Sequence, residues 1–403
     1  NAWTQSIPRQ LSIHEQIDSL LNDDLGSANR GFLNILLAFN PDARQYFFTK
    51  ADERWLDWLW KNGFLDVIKQ KAEDPTGYRT PEINYLVKVS EKEPKKIVDI
   101  MLQVPISAEN FNREVVDRFM RICSTLPAQE LKRMINKIKN DGWVPLMGAF
   151  NDWGFEYEKM LQTLTQAKDF DSVLILAEAV LSVRSKEEAE QEKRGFLSDS
   201  PFYFKELSYT KVFEHLLKVD EENTERALAL AINIMKQVVL FGEKEGKDEV
   251  FKVYDSFFLL DVDFFDLKLS ERNRLSHRDD VKNLAAVITE LTKRTIGSYD
   301  TDPWRAQELY KKHFEPLPDS RSMWRLKLFV FALYPEYFKG ELNSAFFRLF
   351  SVERYYNEII SGTEYMKALR AGFPVLSEPD KRKYVKLVME YFIEKDRKKE
   401  NEK

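Results

Sequence analysis

The sequence predicts an all-α fold, and three observations support this prediction. Apolar residues recur every three or four positions in nearly every segment, as Ile97, Ile100 and Val104 do, which places them on one face of a helix. The alternation of polar and apolar residues that indicates strands is nearly absent. The 403 residues include only 14 Gly and 15 Pro, too few for the many turns of an all-β sandwich or barrel.

Several predicted helices begin with proline, whose missing N–H group costs nothing in the first turn. Two of the residues before these prolines, Thr80 and Asp302, are good N-cap residues, and we expect their side chains to accept hydrogen bonds from backbone N–H groups. The proline starts are Thr80-Pro81, Glu93-Pro94, Leu126-Pro127, Asp302-Pro303 and Glu378-Pro379.

These starts divide part of the chain into antiparallel helix pairs that repeat at roughly 30 to 42 residues, without a strict TPR or ankyrin consensus. A two-helix unit of this size cannot bury its apolar face alone, so neighbouring pairs are expected to stack. The sequence therefore predicts an α-solenoid of stacked antiparallel helix pairs, which are degenerate TPR/HEAT-like repeats. The predicted pairs are 81–91 with 94–103, 111–125 with 127–139, and 153–166 with 170–183.

The prediction divides this solenoid into two halves, 1–183 and 201–403, joined by a charged linker or hinge at 184–200. The alternative interpretation of 184–200 is a solvated helix end followed by a loop. Residues 394–403 have few apolar side chains to bury, so we expect them either to fray or to continue a helix.

Charge and cysteine content exclude several classes of function. Lys and Arg number 61 and Asp and Glu number 66, so the net charge of −5 provides no general positive field for nucleic acid. The single cysteine, Cys123, excludes an intramolecular disulfide and favours a reducing, cytoplasmic setting. No apolar run reaches the roughly 18 to 20 residues of a membrane span, and no signal peptide precedes the first helix. The start at Asn1 suggests a piece of a longer chain.

A search for catalytic and cofactor motifs finds none that is complete. The stretch from Gly242 to Asp248 is one residue short of a P-loop and ends in Asp where a hydroxyl should bind magnesium. His14-Glu15 begins like a zincin motif, but position 18 is Asp18 and the remaining histidines are scattered. We therefore expect no enzymatic activity, no metal and no cofactor in this chain.

Three carboxylates at Asp261, Asp263 and Asp266 could in principle hold a divalent cation. The glycine and the terminal glutamate of a calcium loop are missing, and the intervening apolar residues are typical of core packing. The polar edge of an irregular segment is the favoured interpretation.

Aromatic residues are unusually abundant, with 29 Phe, 16 Tyr and 8 Trp. Large rings fill the gaps between helices, and a share of them exposed on the surface would anchor a partner. Trp58 and Trp60 lie off the face that Trp55 and Leu59 share, so at least one of the two rings should be near the surface.

Arginine and aromatic residues also cluster at a break in the repeat. Such residues anchor protein interfaces, so the cluster is our candidate partner-binding site, with an ordinary surface loop as the alternative. Its residues are Phe264, Phe265, Arg272, Arg274 and Arg278.

Several segments resemble the helical-repeat regions of large bacterial STAND-type NTPases. The strongest is the run from Phe47 to Leu56 (FFTKADERWL), followed by Leu59 and by Asn62-Gly63-Phe64. Further likeness lies in PEINYL at 81–86, EPKKIV at 93–98, SMWRL at 322–326, YPEYF at 334–338 and GTEY at 362–365. The likeness touches most of the chain, and none of these segments is a catalytic signature.

In antiviral members of that family, such a region follows a nucleotide-binding core and binds a phage protein by its shape, which releases oligomerisation of the NTPase. The resemblance therefore implies a sensor region with a protein ligand, possible self-association through a longer parent chain, and no membrane partner. Two alternatives stay open: a general scaffold or adaptor solenoid without a nucleotide switch, and an RNA- or DNA-handling helical repeat, which would need a basic stripe on one face.

Overall fold

A computed structural model describes residues 12–22, 30–71, 80–147, 154–191, 201–203, 209–241, 243–244, 254–255, 263–269, 277–299, 302–350 and 362–401. These residues are predominantly helical, which confirms the all-α prediction. The described strands are one two-residue antiparallel pair, β1 (Glu243–Lys244) and β2 (Tyr254–Asp255), in which Glu243 lies opposite Asp255. The chain forms two compact units, Asn1–Lys168 and Asp169–Lys403.

The N-terminal unit contains short helices. The four helices of the first two predicted pairs are confirmed to within about two residues at each end. The third pair is divided, because its first helix closes this unit and its second opens the next. The helices are α1 (Ile13–Asn22), α2 (Arg30–Phe39), α3 (Pro41–Lys50), α4 (Leu56–Lys61), α5 (Pro81–Val89), α6 (Pro94–Gln103), α7 (Arg113–Cys123), α8 (Ala128–Asn140), α9 (Trp143–Met147) and α10 (Gly154–Gln166), with 3₁₀ turns at Glu53–Trp55 and Asp66–Lys69.

Within this unit several helices pack on the helix two places along the chain. The α5 helix packs on α3 and α7, while α6 packs on α8 and α8 on α10. Polar contacts join the same neighbours, since Arg44 of α3 donates to the buried carboxylate of Glu82 in α5 at 2.6 Å. Helices therefore meet their counterparts in the adjacent pair through both apolar and charged side chains.

The two predicted N-caps differ in outcome. Asp302 accepts hydrogen bonds from the backbone N–H groups of Trp304 and Arg305, as predicted. The prediction is wrong for Thr80, whose hydroxyl donates to Glu114 at 2.9 Å and makes no cap. The hydroxyl points towards the Glu114 carboxylate of the neighbouring α7 instead of the first turn of α5. The residue type at position 80 favours a cap but does not reveal this contact with another helix.

An aromatic cluster joins α3, the first 3₁₀ turn and α5. Phe47 and the buried Trp55 meet edge to face with ring centroids 5.4 Å apart, and Tyr85 donates from its hydroxyl to the Asp52 carbonyl at 2.8 Å. Trp58 and Trp60 are both half-buried, which confirms that these rings lie near the surface.

The C-terminal unit contains longer helices. Its largest pair, α14 and α15, has 21 residues in each helix, or about 31 Å of helix length. The helices are α11 (Phe170–Val180), α12 (Lys186–Gln191), α13 (Thr210–Leu217), α14 (Glu221–Phe241), α15 (His277–Gly297), α16 (Pro303–Leu309), α17 (Arg321–Leu333), α18 (Lys339–Phe350), α19 (Thr363–Gly372) and α20 (Glu378–Asn401), with a π-helical turn at Tyr310–Phe314 and a 3₁₀ turn at Phe373–Val375.

The unit boundary lies between Lys168 and Asp169, earlier than the predicted division at 183. The reason is that α11 packs on α13 and α14 and buries Val173 and Val180 in the C-terminal unit. The predicted hinge 184–200 begins and ends within this unit, where the Arg184 N–H group donates to the Pro201 carbonyl at 2.8 Å. Its ends are therefore held side by side. Residues 192–200 of the predicted hinge lie outside the described residues.

Candidate partner-binding site

The structure places the predicted aromatic anchors inside the C-terminal unit. Phe264 is only 1% exposed, and its ring packs against Phe329 of α17. Phe265 is half-buried, with its ring 4.9 Å from Phe329 and 4.3 Å from the ammonium of Lys367. The prediction is therefore wrong for Phe264, because the short segment 263–269 turns this ring into the core. Arg272, Arg274 and the side chain of Arg278 lie outside the described residues.

A buried ion pair explains why this segment turns inward. Arg325 of α17 and Glu364 of α19 form two hydrogen bonds of 2.7 and 2.9 Å, and their side chains are 5% and 0% exposed. Glu364 also accepts the backbone N–H of Phe264 at 3.0 Å. The guanidinium of Arg325 lies 5.5 Å from the centre of the Phe264 ring. These contacts make the pair a structural link between two helices and the 263–266 turn.

The carboxylate cluster has no metal-like arrangement in the described part. Asp263 accepts from Lys367 at 3.2 Å and from the backbone N–H of Phe265 at 2.9 Å, while Asp266 is exposed. Asp261 and the P-loop-like stretch beyond Lys244 lie outside the described residues. Among those that are described, no three His, Cys, Asp or Glu side chains come close enough to hold a metal ion.

The three histidines whose side chains are described and the cysteine occupy structural or surface positions. Burial is the main cause that lowers the pKa of His215 to about 4 and that lowers the pKa of the half-buried His313. His14 is exposed and stacks on Tyr46 with ring centroids 4.0 Å apart. Burial raises the pKa of the Cys123 thiol, which keeps it protonated and unreactive.

The buried His215 leads to a prediction for acid stability. Its folded-state pKa of about 4 lies below the ordinary value of 6.5, so the unfolded chain binds the proton more tightly. Stability from the neutral imidazole is complete above pH 6.5 and is lost as the pH falls towards 4, by up to about 3 kcal/mol. Urea unfolding across this range should show a smaller loss for His215→Gln than for the wild type. The exposed His14→Gln is the control, and an unchanged pH dependence in His215→Gln would contradict the assignment.

The C-terminal helix α20 has two separate apolar faces. Its inner face contains the buried Tyr384, whose hydroxyl lies 2.6 Å from that of Tyr365 and whose ring packs against Phe346. Its outer face carries Val385, Met389, Phe392 and Ile393, all exposed, with Met389 at 60%. These outer positions recur at helical spacing, so they form one stripe about two turns long. An apolar stripe that no other described element covers is typical of an interaction surface.

This stripe runs into a groove between α19 and α20, the α19–α20 groove. Its cavity volume is about 430 Å³, within the range of ligand-binding clefts. A second depression of about 560 Å³ lies beside it and shares Phe373, Val385 and Met389 with it. The groove is lined by Leu369, Arg370, Phe373, Pro374, Tyr384, Val385, Val388 and Met389.

The rim of the groove and of the adjoining depression is positively charged, in contrast to the acidic chain as a whole. Lys381 pairs with Glu378 at 2.9 Å, and Lys386 lies 3.7 Å from Glu390. Arg370 and Arg382 also line these depressions. Lys381 and, to a smaller extent, Arg382 lower the pKa of Glu378, so Arg382 has an anionic neighbour, whereas Arg370 forms no ion pair with any described residue. Four cations thus stand beside two anions.

The N-terminal unit has a second exposed apolar face, on α2. Its inner face buries Leu33 and Leu37, whereas Ile35 and Phe39 are 65% and 84% exposed. Sequence reasoning missed this face and the α19–α20 groove. The sequence signal for both surfaces is a second apolar stripe on the same helix, on α2 and on α20. A search for a single apolar face on each helix does not detect a second stripe.

No described helix combines the length and the apolar character that a membrane span requires. Comparison of the chain with protein-family models, with curated proteins and with solved structures finds no match.

Proposed function

We propose that this chain is a protein-binding α-solenoid that serves, in the cytoplasm, as the ligand-sensing region of a bacterial antiphage STAND-type NTPase. The observation that carries the protein-binding part is the exposed apolar stripe and cation-rimmed groove on α19 and α20. Monomeric folded proteins rarely leave such a continuous apolar surface uncovered unless another macromolecule binds it.

The packing of the N-terminal unit supports the stacked-pair arrangement. The succession from α3 to α5 to α7, and from α6 to α8 to α10, is the nearest-neighbour pattern of a helical repeat array. Ile35 and Phe39 leave the outer face of α2 apolar and exposed in the described part of this unit. The α2 face is therefore a second surface suited to packing against protein.

The segments that resemble the sensor regions supply the fold more than the ligand contacts. Phe47 and Trp55, within the most similar stretch, are both buried in the aromatic cluster. Met323 and Leu326, within the later similar stretch, are buried in α17. Recognition of a phage protein would then depend on residues outside these segments, which is consistent with sensors that share a scaffold and differ in ligand.

Affinity capture from infected cells tests the proposal. The immobilised chain is exposed to lysates of phage-infected and mock-infected bacteria, and captured proteins are identified by mass spectrometry. We expect one phage protein in the infected sample alone, and the purified phage protein should then bind the chain in isothermal titration calorimetry. Capture of the same host proteins with and without infection would contradict the sensor function and favour a scaffold.

A further inference from the structure

We propose that the α19–α20 groove binds an amphipathic helix of a partner protein that carries acidic residues beside its apolar anchors. The inference rests on the proposed protein-binding function and specifies the chemistry of the ligand at one site. Two features of the groove, its shape and its charge, lead to this partner.

The shape of the groove fits a helix. Phe373 and Pro374 form one wall, and Val385, Val388 and Met389 of α20 form the other. The exposed stripe includes the wall residues Val385 and Met389 and reaches Phe392, seven residues beyond Val385 and about 10 Å along α20. An amphipathic helix presents its anchors at positions i, i+3, i+4 and i+7 over the same length, which is the usual geometry of a helix bound in a groove.

The positive charge of the rim favours a partner helix with acidic residues beside its apolar anchors. Arg370 has no ion-pair partner in the described part of the chain, Arg382 shares the anionic neighbour Glu378 with Lys381, and both arginines stand next to apolar surface. A partner that covered this surface would partly desolvate the two guanidinium groups, which costs free energy unless carboxylates meet them. A bidentate Arg–carboxylate contact satisfies both the charge and the hydrogen-bonding geometry.

The charge and shape of the groove disfavour two other occupants, which are a second copy of this chain and an anionic lipid bilayer. In a two-fold symmetric dimer the groove of one copy would face the groove of the other and bring two cationic rims together. Repulsion between like charges therefore opposes this dimer. An anionic bilayer could contact the outer-face residues of α20 but would leave uncovered Leu369, Tyr384 and Val388, which line the groove between the two helices. A protein helix satisfies both the concavity and the charge.

The probes for the test are two fluorescein-labelled helical peptides with leucine at i, i+3, i+4 and i+7. One peptide carries glutamate beside the leucines and the other carries lysine at the same positions. Fluorescence anisotropy with the full chain should show that the glutamate peptide binds about tenfold or more tightly than the lysine peptide. Its affinity should fall as salt concentration rises.

Protein variants connect this binding to the groove. Val385→Ser with Met389→Ser should weaken binding of the glutamate peptide by about tenfold or more, because most of the apolar wall from α20 is lost. Arg370→Glu with Arg382→Glu should reverse the preference and favour the lysine peptide. Leu102→Ser removes an exposed apolar residue of α6, in the other unit and outside both proposed surfaces, and should leave binding unchanged. All these side chains are exposed or half-buried, so the fold should persist, and circular dichroism checks this.

Several outcomes would overturn the inference. Equal binding of both peptides, or a preference that the charge-reversal variant does not change, contradicts acidic selection. Binding to phosphatidylserine vesicles that depends on Val385 and Met389, in the absence of peptide binding, identifies a membrane surface. A sedimentation shift with protein concentration that is lost in the same serine variant identifies self-association.

The groove and the sensor function can fail separately. If a captured phage protein binds the wild type and the Val385→Ser/Met389→Ser variant equally, the groove inference is wrong and the sensor function stands. If the glutamate peptide binds selectively and no phage protein is captured, the groove inference stands and the sensor function is wrong.

Discussion

Replacement of Glu364 by alanine is expected to destabilise the C-terminal unit by about 3–5 kcal/mol. The substitution leaves Arg325 as a buried charge without its carboxylate and leaves the Phe264 N–H group without an acceptor. Each of these groups was desolvated on folding and has no water to replace the lost partner. Urea unfolding followed by far-UV circular dichroism measures the loss, and hydrogen exchange should locate it in α17, α19 and residues 263–269.

Two further variants distinguish the effect of an unpaired buried charge from the effect of lost side-chain volume. The double substitution Arg325→Met with Glu364→Leu removes both ions together and should recover much of the stability, since a well-packed apolar pair replaces a buried ion pair at little cost. Glu364→Gln keeps one oxygen acceptor for Arg325 and the Phe264 N–H group but turns the other oxygen into an NH2 donor, so its unfolding free energy should lie between those of Glu364→Ala and the double variant. An unfolding free energy of Glu364→Ala within about 1 kcal/mol of the wild type would contradict the structural role of this pair.

Local patterns in the sequence predict the helix pairs between 81 and 140 closely. Proline at the first turn indicates where a helix starts, and apolar residues spaced by three or four indicate which face is buried. The bounds of α5 to α8 can therefore be predicted from local sequence alone. The boundary between the two units does not follow, because it depends on which apolar faces meet. Only the packing of α11 on α13 and α14 assigns that helix to the C-terminal unit.

The candidate site shows the same limit. Phe264 and Phe265 stand out in the sequence because they adjoin several arginines, but the arginine that meets Phe264 is Arg325 of α17. Its carboxylate partner Glu364 is 39 residues further along, and no local pattern connects the two. The groove was missed for a related reason, since one wall comes from the turn that follows α19 and the other from α20. Long-range pairing therefore decides both which aromatic residues are buried and which surface stays open.

Replacement of Trp55 by alanine is expected to destabilise the N-terminal unit by about 3–5 kcal/mol. The indole is 1% exposed and touches the rings of Phe47 and Trp58 edge to face, with centroids 5.4 and 5.7 Å away. The cavity would open where α3, the 3₁₀ turn and α4 meet, and Tyr85 ties α5 to the same turn through the Asp52 carbonyl. The surrounding rings are held by several helices at once, so they cannot collapse fully into the space.

Trp60→Ala is the matched control, because it removes the same side chain from the same short segment. Trp60 is half-buried, and its ring lies 4.1 Å from the ammonium of Lys69, a contact that contributes about 0.5–1 kcal/mol at an exposed site. Chemical unfolding by circular dichroism avoids the fluorescence change that loss of a tryptophan causes, and hydrogen exchange over 41–61 should show faster exchange in Trp55→Ala alone. If the two variants lost equal stability, the core would not be centred on Trp55, and the joint between α3 and α5 would depend on surface contacts instead.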